Sequence, residues 1–158
     1  GELKWGNLNS PDVYIDNAVT QNSAIVQRQT YGMLAQQLIK EGKINEAKDM
    51  LNQAEVNFPK ENFPLDRYSI FFMQLYVDVQ DTAKANQYFD EILNFYEQEL
   101  AYFSQFKGNK AKGVYGSIQD AAQVVYILYN NAERTLKDSE RATNAKRVLD
   151  TYIGNIGI

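Results

Sequence analysis

Residues 88–106 read YFDEILNFYEQELAYFSQF, and seven of these nineteen residues are aromatic. Tyr88, Phe95 and Tyr102 stand seven apart, and Phe89, Tyr96 and Phe103 repeat the step one residue later. Seven residues are two turns of α-helix, so the stretch reads as one long helix. Projected at ~100° per residue, Ala85, Tyr88, Phe89, Ile92, Leu93, Phe95, Tyr96, Leu100, Tyr102, Phe103 and Phe106 fall on one half of the circumference. Asp90, Glu91, Asn94, Glu97, Gln98 and Gln105 take the other half. Each large side chain that leaves water contributes roughly 1.5–3 kcal/mol, which predicts that the rings form core. So wide an apolar face exceeds what one neighbour covers, so the helix is expected between two helical hairpins. The competing reading leaves part of the face open as an aromatic groove with tyrosine hydroxyls as polar tips. Glu99 projects onto the middle of the apolar side. A lone buried charge is costly, so Glu99 is expected to pair with Lys107, Arg67 or Arg134, or to serve as a carboxylate at the mouth of such a groove.

Working outward, helical spacing recurs and no run of alternating β-branched residues appears. A first helix is expected over 17–41, stopping at Gly42, where the left-handed turn after a helix favours glycine. A second covers 44–57, with Ile44, Ala47, Leu51 and Ala54 on one side. A third covers 65–79, carrying Tyr68, Phe72, Leu75, Tyr76 and Val79. Asp81 is placed to cap the fourth, its side-chain oxygen accepting from an otherwise unpaired N–H. The loop KGNKAKGVYG (107–116) is expected to precede a fifth helix from Ser117, with Ile118, Ala122, Val125, Tyr129, Ala132 and Leu136 inward. A sixth covers 139–153, with Ala142, Ala145, Leu149 and Tyr152 inward before Gly154. The fold class is therefore all-α, about six helices in antiparallel hairpins.

The chain has 158 residues and a net charge of −4, without cysteine or histidine. That length suits one domain burying about two thirds of its unfolded surface, and 17–158 is read as a single helical-repeat domain. Disulfides, thiolate sites and Ser–His or Cys–His nucleophiles are excluded, as is the commonest transition-metal ligand. The charge gives no electrostatic reason to expect nucleic acid, and no run approaches the ~18 apolar residues of a membrane span. Gly1 in place of Met reads as a cleavage scar on a piece of something longer. The carboxylates are spread over solvated faces without a compact calcium-type loop. No catalytic residue, metal or cofactor is expected.

Tyr31, Leu34, Ala35, Leu38, Gly42, Ala47, Leu51, Ala54 and Pro59 resemble a tetratricopeptide unit in spacing. Phe72, Tyr76, Ala85 and Phe89 repeat part of it thirty-eight residues later. The second unit lacks the closing proline and its second helix is too long. The resemblance implies a right-handed helical repeat, and its peptide-binding register points to Gln29, Gln36 and Lys40 with Arg67 and Gln74. The family's lysine–asparagine grip on a terminal carboxylate is not reproduced, and polar residues on a solvated face explain these positions equally well. Lys107, Lys110 and Lys112 read as a solvated loop or as a contact for lipid phosphates or an acidic partner. Asp81-Thr82-Ala83 resembles an O-glycosylation acceptor of Bacteroides-type bacteria, though helix capping also accounts for the aspartate.

The opening LKWGNLNSPDVYID (3–16), with LAQQLIKEGKINEAKDMLNQAEVNFPKENFP (34–64) and YEQELAYFSQF (96–106), resembles the C-terminal part of a family of large multi-spanning inner-membrane proteins. These occur in Bacteroides-type bacteria, have no known function, and are related to the protein O-mannosyltransferases. Lys4-Trp5-Gly6 and Pro11-Asp12-Val13-Tyr14-Ile15-Asp16 match that family's opening. The resemblance implies that 1–16 is an extended leader after an absent membrane region. The helical part would then face the periplasm, touching the membrane only through the missing upstream segment. It implies a non-catalytic protein-interaction or scaffold domain appended to a glycosyltransferase-like membrane protein. Its partner would be a protein or peptide, drawn from the parent's own membrane region or its acceptor proteins. Trp5 and Tyr14 would lie nearest the bilayer, or else pack onto the helices. The rival expectation is a module binding glycan or lipid-linked sugar in an aromatic groove.

Overall fold

The computed structural model describes residues 10, 12–14, 16 and 23–153. Most of the leader, including Trp5, Pro11 and Ile15, lies outside them, as do 17–22 and Gly154; Tyr14 is almost fully exposed. Among the described residues the chain is all-α. Six helices follow in order: α1 (Ile25–Lys40), α2 (Ile44–Asn57), α3 (Ser69–Asp78), α4 (Thr82–Phe103), α5 (Asn109–Asn131) and α6 (Ser139–Tyr152). A π-helical turn, Ala132–Leu136, closes α5. No membrane-crossing helix occurs among the described residues. Contacts gather into two compact units, Gly1–Ala85 and Asn86–Ile158.

In Gly1–Ala85, α1 ends as its sequence requires. Gly42, at φ +76°, donates to the Ile39 carbonyl, and the next N–H, of Lys43, donates to that of Leu38. These two hydrogen bonds satisfy the carbonyls of Leu38 and Ile39 and reverse the chain into α2. Ala35, Ala47, Leu51 and Ala54 are buried, so the small residues bring α1 and α2 together. Leu34, in the same pattern, is exposed. Beyond α2, Phe58 packs edge-on between Tyr31 and Phe63, at 6.1 and 5.4 Å. α3 starts later than the expected residue 65. Asp66 and Ser69 cap one another, Ser69 N–H on Asp66 Oδ1 (3.1 Å) and Asp66 N–H on Ser69 Oγ (3.0 Å), which anchors the first turn. Between α3 and α4, Gln80 takes the left-handed turn at φ +60°. Asp81 then caps α4, accepting from Lys84 N–H at 3.1 Å.

α4 carries the aromatic stretch and splits its two heptad trios. Tyr88, Phe89 and Tyr96 are buried and Phe103 is half-buried, but Phe95 and Tyr102 are 39% and 58% exposed, against the expectation that all six form core. A straight helix drifts ~20° per heptad. The trio Tyr88, Phe95, Tyr102 therefore rotates off the buried side, while Phe89, Tyr96 and Phe103 rotate toward its middle.

In Asn86–Ile158, α5 begins at Asn109, not at Ser117. Gly108, at φ +61°, makes the preceding turn. Ala111 and Val114, half-buried, extend the buried stripe Ile118, Ala121, Val125, Leu128 toward the N-terminus at steps of three and four. That stripe overrides the helix cost of Gly113 and Gly116, about 1 kcal/mol each. The inward positions also differ by one: Ala121 and Leu128 are buried where Ala122 and Tyr129 were expected, and Val148 where Leu149 was. Leu136 falls in the π turn, after which Lys137 at φ +54° and the cap of Asp138 on Arg141 N–H (3.0 Å) start α6. Two ion pairs, Asp90–Arg141 and Glu97–Arg147, ascend both helices together, so α4 and α6 run parallel.

Candidate functional site

Five of the six expected binding residues lie in Gly1–Ala85, and the packing of α1 on α3 assembles them. Arg28 of α1 is 8% exposed. Its Nη2 donates to Ser69 Oγ at 2.6 Å, and its guanidinium lies 5.2 Å from the centre of the Phe72 ring. One turn on, a Cβ at Gly32 would stand 2.7 Å from Cε1 of Phe71 and 3.2 Å from Cζ of Phe72. Residues 28 and 32 thus meet 69 and 71–72 in the same order, and the two helices run parallel. Only a residue without a side chain admits them this closely.

Gln29 and Gln36 stand three residues before Gly32 and four after it, so they flank the notch that Phe71 occupies. They continue as a stripe, Val26, Gln29, Met33, Gln36, Lys40, in which Val26 and Met33 are more than half exposed. On the other side, Phe71, Gln74 and Asp78 of α3 form a second stripe, with Arg67 in the turn just before the helix. Phe71 joins the two, so the register predicted for Gln29, Gln36, Lys40, Arg67 and Gln74 becomes two adjoining ridges. Gln29 and Gln36 are half-buried and Lys40 exposed, and among the described residues none of the three makes a side-chain hydrogen bond or ion pair. Seven helical residues rise about 10.5 Å, close to the ~10 Å spanned by three residues of extended chain. Gln29 and Gln36 therefore repeat at the period of a tripeptide step, with amides that both donate and accept.

Glu99 is a different case, since it lies in Asn86–Ile158. Its side chain is half-buried and, among the described residues, makes no hydrogen bond or ion pair. Within this unit the expected bonds to Lys107 or Arg134 are absent among the described residues. Withdrawal from water pushes its carboxyl above the ordinary 4.5.

Glu55 of α2, missed in the sequence, accepts from Tyr76 Oη at 2.8 Å and pairs with Lys84 Nζ at 2.6 Å. These bonds tie α2 to α3 and to the start of α4. Nothing local in the sequence links residues so far apart. Gly32 was equally overlooked, although a glycine inside a strong helical pattern signals close approach of another element. Among the described residues, no group of three or more acidic side chains is disposed to hold a metal. No protein-family model, curated protein or solved structure matches this chain.

Proposed function

We propose that this chain is a non-catalytic interaction domain of tetratricopeptide-like, right-handed helical-repeat build that holds an extended peptide along α1 and α3. The observation that carries this reading is the Phe71 ring in the Gly32 notch, which sets Gln29 and Gln36 beside the α3 stripe of Gln74, with Arg67 just before it. The amides accept and donate to a peptide backbone, Val26 and Met33 supply apolar contact, and Lys40 and Arg67 favour acidic side chains. The likeness of 3–16 and 34–64 to the membrane family supports the wider reading. In it the domain is appended to a glycosyltransferase-like inner-membrane protein on its periplasmic face, where it positions acceptor proteins or braces the membrane region.

Peptides selected from a phage-displayed random library on the wild-type chain test the reading. Their affinity is then measured for Gln36→Ala, Gln74→Ala and Lys40→Glu, all surface changes. Losing hydrogen bonds or a favourable charge at such a face weakens binding about tenfold per site. Selected peptides that bind all three variants as well as wild type, or a selection that enriches no peptide, overturn it.

A further inference from the structure

At one end of Asn86–Ile158 the last turn of α4, the first turns of α5 and the last turn of α6 enclose a cleft of about 700 Å³. The buried Ile118 lies at its floor, the half-buried Phe103, Phe106 and Tyr152 form its walls, and the exposed Lys112 and Tyr115 stand at its mouth. This volume falls in the ~300–1,000 Å³ range of sites for small organic ligands.

The polar groups of the lining are unequal. Ser104 Oγ already donates to the Ala101 carbonyl at 2.8 Å, and Thr151 Oγ1 to that of Arg147 at 2.7 Å. Lys112, Tyr115 and Tyr152 make no hydrogen bond among the described residues. The lining holds one ammonium, two phenols and no carboxylate, and Lys107 and Lys110 stand exposed beside it in sequence. Glu99, one turn before Phe103, and the exposed Asp150 do not line it. A site with an apolar floor, a lysine ammonium and two phenols able to donate, and no carboxylate is complementary to a molecule with an apolar body and an anionic head.

We propose that this cleft binds a single-chain acyl carboxylate, with its chain on Phe103, Phe106 and Ile118 and its head at Lys112, Tyr115 and Tyr152. No residue of the cleft belongs to α1 or α3.

The test is calorimetric titration of the whole chain with decanoate below its micellar range, beside decyltrimethylammonium and octyl glucoside as cationic and neutral probes. One decanoate per chain is expected, bound at least about tenfold tighter than either control, since a cation at the mouth attracts one head group and repels another. Lys112→Glu, at an exposed position, is expected to remove that preference, and Ile118→Trp to abolish binding by filling the floor. If Ile118→Trp fails to fold by circular dichroism, Lys112→Glu decides alone. Absence of decanoate binding, equal binding of all three probes, or an unchanged preference in Lys112→Glu would overturn the proposal. Binding that persists in a folded Ile118→Trp would overturn it as well.

Discussion

In Gly1–Ala85 the polar link between the parallel helices α1 and α3 is buried: Arg28 reaches Ser69 under the cover of Phe72, next to a glycine that lets the helices touch. In Asn86–Ile158 the polar links between the parallel helices α4 and α6 lie at the surface, where Arg141 meets Asp90 and Arg147 meets Glu97. The helix relation is alike and the chemistry opposite. A buried guanidinium that loses its partners, or a partner that loses it, carries a desolvation cost. A solvated pair gains little over its hydrated state. Unit one's link therefore governs stability, whereas unit two's sets register at small energetic effect.

Arg28→Ala is the strongest way to break this contrast. Loss of the Ser69 bond, the ring contact and the buried stem is expected to cost about 2–3 kcal/mol in urea unfolding. A cost below about 1 kcal/mol would put the two kinds of link on a par. Gly32→Val comes next, at about 1–3 kcal/mol from overpacking. The nearest atom to the added side chain belongs to the half-buried Phe71 ring that joins the two ridges, so peptide binding is expected to suffer more than the melting temperature.

Arg141→Ala and Arg147→Ala sharpen the other side. Each is expected to cost less than about 1 kcal/mol, and the difference from wild type should shrink in high salt. Arg141 is expected to count for more, because it also pairs with Asp138 at 2.7 Å. Glu99→Gln gives the smallest effect, and its sign depends on pH. The folded chain holds this carboxyl above its ordinary 4.5 and so favours the protonated form. Its contribution is full below that value and lost as pH rises through the higher folded value. Glutamine, neutral throughout, should therefore raise the melting temperature near about pH 7 and leave it unchanged near about pH 4. An equal gain at both would mean that charge is not the cause.

The α1–α2 hairpin was legible because its signals are local. Gly42 ends one helix, and Ala35, Ala47, Leu51 and Ala54 mark the shared face. The start of α5 was misread because the lysines and glycines of 107–116 look like a loop. The periodic Ala111, Val114, Ile118 already pointed to helix. Which edge of the α4 aromatic face stays uncovered depends on its neighbours, and periodicity alone does not report that. For the site, Gln29, Gln36, Lys40, Arg67 and Gln74 came from the resemblance to a tetratricopeptide unit and its peptide-binding register. The Gly32–Phe71 contact that joins the two ridges was not legible, because it forms between helices thirty-nine residues apart.

Gly113 and Gly116 sit in the first turns of α5 with nothing within 4 Å of where a side chain would begin. Neither glycine adds packing of its own, and the stripe that holds this stretch is only half-buried here, so it is the least costly part of α5 to unwind. Amide hydrogens of residues 109–117 should exchange with deuterium well ahead of those of 118–131 if opening is local. Because Lys112 and Tyr115 ride on that stretch, the mouth of the cleft is expected to adjust to a guest while the Ile118 floor stays fixed.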